Sequence, residues 1–313
     1  MSLLDKIKKH GVSESLDIAR QHAVDAANNA VFRLCKCFPI NPNRIVLESE
    51  GDLSDNAYAL YEELRRSGSL ARYQVVWLVD HVAEARSKVG PHTRCCVKRP
   101  ASFRPVRSYL LATCRWYLYD HCNMMASLQK RPGQTVVYLS HGWGYKSAKG
   151  TDPSRDRTRP DYLTATGPLS AKGLAQYWQE PEEKVLITGY PRIDYFYRDD
   201  PLVRETVERI WHFGGYRKVF FWMPTFRQCR NSALSEDYLT GQTGLPLFET
   251  AESLAGFSDF LQKNNILLIF KLHHLQAELP VFRAVLPNIT VIRDADLAAA
   301  RSSRSAPPCP SST

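Results

Sequence analysis

The chain has 313 residues, 44% hydrophobic and 23% charged, with 41 Lys and Arg against 32 Asp and Glu for a formal net charge of +9. These proportions exclude a mostly disordered or collagen-like chain, and the length points to about two domains. No run approaches the ~18–20 apolar residues of a spanning helix, and the basic start, Met1 to His10, has no long apolar core before a cleavage site, so neither a membrane span nor a signal peptide is expected. The eight cysteines have no C-x-x-C spacing, which points to reduced thiols and no metal site.

Taken in chain order, strands and helices alternate. Residues 1–38 read as a helix with Val24, Ala27, Val31 and Leu34 on one face; Lys6, Lys8 and Lys9 near its start suit either an anionic bilayer or packing on the domain. Strands follow at Arg44–Ser49, Tyr73–Val79, Arg115–Tyr119, Gln134–Leu139, Tyr162–Ala165 and Val185–Thr188. Helices are expected from Ser54 or Asp55 to Arg66, from Ser102 to Thr113 and from Leu169 to Trp178. Apolar strands in a β-α-β order predict a parallel sheet covered on both faces. A helical bridge over Pro201–Phe213 leads to a second unit near Gly214-Gly215. There a strand at Lys218–Trp222, a polar loop at 228–247, a helix at Phe248–Asn264 and strands at Ile266–Lys271 and Ile289–Ile292 are expected. Two Rossmann-like units in tandem place ligands where the carboxyl ends of their strands converge.

The positive charge is uneven. Between Pro91 and Arg131 stand eight basic residues and one acid, Asp120. Such a segment reads either as an anion-binding face or as an ordinary solvated one, and no nucleic-acid motif accompanies it.

Chemistry-bearing residues gather after the strands. His141-Gly142-Trp143-Gly144-Tyr145-Lys146, with Lys149 beyond, offers a base, close backbone approach and positive charge. Thr188-Gly189-Tyr190-Pro191-Arg192-Ile193-Asp194 offers a phosphate-holding Arg192 oriented by Asp194, or simply a surface Arg–Asp pair. Pro224-Thr225-Phe226-Arg227 and Lys271-Leu272-His273-His274 follow later strands, with Lys271 and His273 on one strand face.

In this order the set resembles the CDP-glycerol glycerophosphotransferase family of teichoic-acid synthesis, whose motifs are of H-G-T-x-x-K, G-Y-P-R-x-D, P-T-x-R and K-x-H-P type. Leu47-Glu48-Ser49, the Asp55–Leu64 stretch and Tyr73–Val79 also resemble the family's first strand, N-x-x-x-L-Y-x-E-L helix and V-V-W-L-V strand, so the likeness runs from about Arg44 to Arg293. It implies a glycosyltransferase-B-like fold of two Rossmann-like domains facing a cleft. It also implies transfer of glycerol phosphate, or a related polyol phosphate, from a CDP-linked donor to a hydroxyl of a lipid-linked polyol-phosphate or glycan acceptor, with release of CMP and no cofactor. His141 takes the place of the base; Arg192, Asp194, Arg227, Lys271 and His273 that of the donor-phosphate set; Gly142, Lys146 and Lys149 that of the acceptor set. A cytoplasmic protein peripheral on the anionic inner face of the membrane, without a nucleic-acid partner, is the corresponding expectation. A sugar-nucleotide glycosyltransferase of the same fold and an inactive remnant are the competing readings.

Trp143 and His274 depart from the usual Thr and Pro. The residues after Asp294-Ala295-Asp296-Leu297 carry no core-forming pattern, so the domains are expected at 44–213 and 214–297, after an N-terminal helical segment 1–43 and before a disordered tail 298–313. On this reading the second domain is incomplete, through a reading frame broken near Leu297 or, alternatively, in a genuine shorter homologue, and poor donor binding, activity and solubility are expected.

Overall fold

The computed structural model describes residues 3–98, 103–121, 123–142, 156–198, 212–224 and 242–293 apart from isolated positions in the last stretch, with a few positions between 201 and 209; at 3–18 and 274–275 it describes the backbone alone. The chain divides into two units, Met1–Arg198 and Asp199–Thr313.

The first unit is a seven-stranded sheet in the order β3-β2-β1-β4-β5-β6-β7, parallel throughout. Its strands are β1 (Asn41–Glu48), β2 (Gln74–Val79), β3 (Thr93–Val97), β4 (Cys114–Tyr119), β5 (Thr135–Tyr138), β6 (Tyr162–Ala165) and β7 (Val185–Ile187). The helices are α1 (Leu3–Leu34), α2 (Asp55–Arg66), α3 (Val82–Lys88), α4 (Pro105–Thr113) and α5 (Pro168–Trp178). β2 is an almost continuous apolar run and β1 carries a shorter one at Ile45-Val46-Leu47, because side chains on both faces are covered there. On one face Val46, Val76, Tyr117 and Val136 pack with Phe32, Leu110, Leu111 and Trp178. On the other, Leu47, Trp77 and Val79 pack with Ala57, Tyr61 and Ala85.

The expected strands and helices of this unit are found, with ends shifted by a few residues. Two elements, α3 and β3, were not expected. β3 (TRCCV) has only a partly covered face, and its Arg94 breaks the apolar run that marks the inner strands. Tyr61 binds this outer strand to the sheet: its hydroxyl accepts from Gly90 N at 2.9 Å and meets Thr93 Oγ1 at 2.9 Å.

The apolar stripe expected on the first helix is corrected. Phe32 is buried, Val24 and Val31 are half-buried, and Ala27 and Leu34 are exposed. The docking face runs through a buried polar residue, Asn28. Its Oδ1 accepts from Arg104 N at 2.9 Å and its carbonyl from Ser108 Oγ at 2.8 Å, which fixes α1 against α4. Hydrophobic periodicity cannot reveal a helix face organised around an amide.

The basic segment 91–131 is not a single face either. Lys98 is buried and donates to the carbonyls of Ser49 and Glu50 at 2.8 and 3.0 Å. Arg107 is buried, and Lys130 is held by Asp161. The segment threads β3, α4 and β4, so its charges are shared between the interior and both ends of the sheet.

The second unit holds a parallel three-stranded sheet, order β10-β9-β8, of β8 (Lys218–Trp222), β9 (Ile266–Phe270) and β10 (Ile289–Val291), with α6 (Ala251–Lys263) between β8 and β9. Ile266, Leu268 and Phe270 pack with Leu254 and Leu261 on one face, and Leu267, Ile269 and Ile292 cluster on the other. Thr250 caps α6, accepting from Ser253 N at 3.2 Å. Among the described residues β8 is an outer strand, and Val219, Phe220 and Phe221 are exposed. The 201–213 bridge and the 228–247 loop lie largely outside the described residues, as does the whole of 298–313.

Tyr61→Phe is expected to lower the stability of the first unit by about 1–2 kcal/mol, because it strands Gly90 N and removes the bond to Thr93. Thermal melting of the purified chain measures this, and an unchanged Tm would show that β3 is held by its strand pairing alone.

Candidate active site

The winding of the sheet reverses between β1 and β4, and in open parallel sheets the carboxyl ends of the strands are splayed at such a point. Four short segments meet there: the residues after β1, the first turn of α2, Asp120-His121 after β4, and Ser140-His141-Gly142 after β5.

Three acids, two of them buried, lie on or beside this edge. Glu48, the last residue of β1, accepts a hydrogen bond from Tyr117 Oη and one from Met124 N at 3.2 Å. Burial pushes its carboxyl up to about 7 against these bonds. Asp120 is also buried; its Oδ2 accepts from Ala57 N at 2.9 Å, in the first turn of α2, and burial pushes it up to about 7. Asp52, half-exposed, accepts from Asp80 N and His81 N at 2.6 Å each and lies below its usual range; those amide bonds outweigh its burial.

His141 follows β5 and is exposed. Its Nδ1 lies 3.2 Å from the Asp120 carbonyl and 3.0 Å from Tyr138 Oη. The carbonyl only accepts, whereas the tyrosine hydroxyl can donate or accept; in the tautomer with the proton on Nδ1, the ring's lone pair lies on Nε2. The His121 ring stands 4.8 Å from that of His141, and its Nε2 is 3.5 Å from Glu50. Gly142 has φ +123°, and a side chain there would come within 3.4 Å of Arg192 Nη2. The positive φ favours glycine at this position.

Arg192 comes from 51 residues further on and lands beside His141. It lies in the 3-10 turn Pro191–Tyr197. Nη2 donates to the His141 carbonyl at 2.8 Å and Nη1 to Asp55 Oδ1 at 2.6 Å. Asn56 completes the clamp: its Nδ2 donates to the Ser140 carbonyl at 2.5 Å, and its Oδ1 accepts from Arg192 N at 3.0 Å.

His141, Gly142 and Arg192 are thus brought together. Asp194 is exposed, and the carboxylate that meets Arg192 is Asp55. Lys271 is half-buried at the end of β9, in the second unit, where its N–H donates to the Trp222 carbonyl at 3.1 Å. Trp143, Lys146, Lys149, Arg227 and His273 lie outside the described residues. Sequence reasoning did not single out Asp55, Asn56, Asp120 or His121 as site residues. Asp55 and Asn56 belong to a helix-start motif that was legible as such, whereas Asp120 and His121 are marked only by their place directly after a strand.

A doubly wound parallel sheet with a histidine at its switch point, followed by a second parallel α/β unit, is the glycosyltransferase-B type of architecture. Within that class the chain belongs to the family described as CDP-Glycerol:Poly(glycerophosphate) glycerophosphotransferase, whose model matches residues 30–293. It is 26% identical over 213 residues to the teichoic acid ribitol-phosphate primase of Bacillus spizizenii, a match covering 62% of this chain and 52% of that protein. The chain therefore spans about half the length of this curated relative. Among solved structures, the wall teichoic acid polymerase TagF superposes with a TM-score of 0.63 at 16% identity, covering 92% of this chain and 72% of TagF. A TagF variant soaked with CDPG for 15 minutes gives 0.59 at 17% identity, covering 84% of this chain and 66% of that one. At this identity the likeness establishes the fold. Among the described residues no helix is long and apolar enough to cross a membrane.

The buried carboxyls make a pH prediction. A carboxyl that titrates near 7 when folded and near 4 when unfolded takes up its proton first in the folded state, so stability falls as pH rises from about 4 to about 7. The melting temperature should therefore be lower at pH 8 than at pH 5, and Asp120→Asn should flatten that slope. Thermal melts across this range check it; a slope unchanged by the substitution would remove Asp120 as a source.

Proposed function

We propose that this chain transfers a polyol phosphate, glycerol phosphate in the first instance, from CDP-glycerol or a related CDP-linked donor to a hydroxyl of a lipid-linked polyol-phosphate or glycan acceptor. The product is a teichoic-acid or related cell-envelope polymer. The acceptor oxygen attacks the β-phosphorus of the donor, a new P–O bond forms, and the bond to the bridging oxygen breaks as CMP leaves with the electron pair. His141 Nε2 takes the hydroxyl proton.

The observation that carries this reading is the setting of His141. Its Nδ1 lies against the Asp120 carbonyl and Tyr138 Oη, a setting that in the Nδ1-protonated tautomer leaves the lone pair on Nε2, and the loop is clamped through Arg192 and Asn56. The family's named activity and the CDPG soaked into the TagF variant support the choice of donor. In this arrangement Arg192 is a positioning residue: it fixes the His141 backbone through its own ion pair with Asp55, and it also lends positive charge beside the base. By family position Asp194, Arg227, Lys271 and His273 are assigned to the donor phosphates, and Gly142, Lys146 and Lys149 to the acceptor. We also assign the chain to the cytoplasmic face of the membrane as a peripheral protein, because a lipid-linked acceptor presents its hydroxyl there.

The test is CMP release from CDP-glycerol, and separately from CDP-ribitol, in the presence of a lipid-linked acceptor. His141→Ala should lower turnover by about 10²–10⁴-fold while leaving donor affinity nearly unchanged. Turnover that survives the substitution would remove His141 from the chemistry. Turnover with UDP-sugars instead would overturn the choice of donor, and no turnover with any donor would leave a non-catalytic binding protein.

A further inference from the structure

The opposite end of the same sheet carries a second concave surface. It is a cavity of about 690 Å³ at the amino ends of β1, β2 and β3, lined among others by Arg44, Arg72, Arg86, His92, Arg94 and Tyr109, with no Asp or Glu in its wall. An eight-residue strand such as β1 spans about 25 Å, so this cavity is remote from the carboxyl edge that carries His141.

Its floor is unusual in charge. Arg44 is 7% exposed, yet its guanidinium meets only neutral groups: Nε donates to Gln74 Oε1 at 3.0 Å, Nη1 donates to Thr113 Oγ1, and the group lies 5.3 Å from the centre of the Tyr109 ring. Among the described residues Arg44, Arg72, Arg86 and Arg94 form no ion pair. A buried charge is normally paired, since desolvation without a counter-charge is costly. The missing partner is an anion, and four guanidiniums around one cavity suit a ligand with more than one negative charge. Planar guanidiniums match phosphate oxygens two at a time. Tyr109 in the wall is an apolar element, packed edge-on by the half-exposed Phe38 with ring centres 5.5 Å apart.

We propose that this cavity is a binding site for a phosphate-bearing ligand, either the headgroup of an anionic lipid or a soluble phosphate, distinct from the site at His141. Arg44 forms the fixed floor, and Arg72, Arg86 and Arg94 close on the phosphate from the rim. The proposal does not rest on the transfer reaction, and activity is not its readout.

Two binding measurements on the full chain test it: isothermal titration with inorganic pyrophosphate, and co-sedimentation with phosphatidylcholine vesicles with and without phosphatidylglycerol. The exposed pair is replaced in R72E/R94E, which leaves the buried Arg44 in place so that the fold is kept. A control, K172E/K263E, changes the net charge equally at exposed positions on α5 and α6. We expect saturable binding of pyrophosphate, of anionic vesicles, or of both, weakened more than about tenfold in R72E/R94E and less than about twofold in the control. Vesicle binding alone identifies a lipid headgroup as the source, and pyrophosphate binding alone a soluble phosphate. The absence of saturable binding in both arms overturns the site. So does equal weakening by the two double variants, which would indicate general electrostatic attraction, and so does binding that both retain, which would place the anion elsewhere.

Discussion

The ion pair between Arg192 and Asp55 holds the candidate active site together. A guanidinium that arrives after β7 reaches back to the start of α2 and, with its other nitrogen, to the carbonyl of His141. It joins the ends of three separate chain segments that would otherwise be free loops at the splayed edge of the sheet. Asn56 repeats the connection one residue later, with its amide on Ser140 and its oxygen on the Arg192 backbone. Catalytic groups act best when their own orientation is fixed before substrate arrives. Here the fixing is done by backbone carbonyls and one short ion pair.

Beneath that clamp the sheet edge stores proton-holding groups. Glu48 and Asp120 are kept from solvent by the strands that carry them, and each is only partly compensated, by a tyrosine hydroxyl and an amide in one case and a helix-start amide in the other. Burial without full compensation raises both. The Asp120 carbonyl also lies against His141 Nδ1, so one residue meets the site through its backbone and loads the interior through its side chain.

The two ends of the first sheet differ in charge for the same topological reason. The carboxyl ends of β1, β2 and β4 bring Glu48, Asp52, Asp80 and Asp120 together, while the amino ends of β1, β2 and β3 bring Arg44, Arg72 and Arg94. A parallel sheet sorts residues by their position along each strand, so charges far apart in the sequence become neighbours.

Much of the fold was legible in the sequence. Buried parallel strands are built on apolar runs, so the inner parts of β1, β2, β4, β5 and β9 needed no tertiary information. The position of His141, directly after one such strand, was legible for the same reason. β3 was not, because an outer strand covered on one side needs no apolar run. Neither was the docking face of α1, which is built on the amide of Asn28. Only the tertiary structure decided which carboxylate meets Arg192, since Asp194 is two residues away in sequence and Asp55 is reached only by folding across the sheet. Only it could dissolve the basic stretch 91–131 into a buried Lys98, a buried Arg107, a paired Lys130 and an exposed Arg94. The sequence by itself determines which segments are apolar enough to become strands; which polar groups then meet depends on the order in which those strands pair.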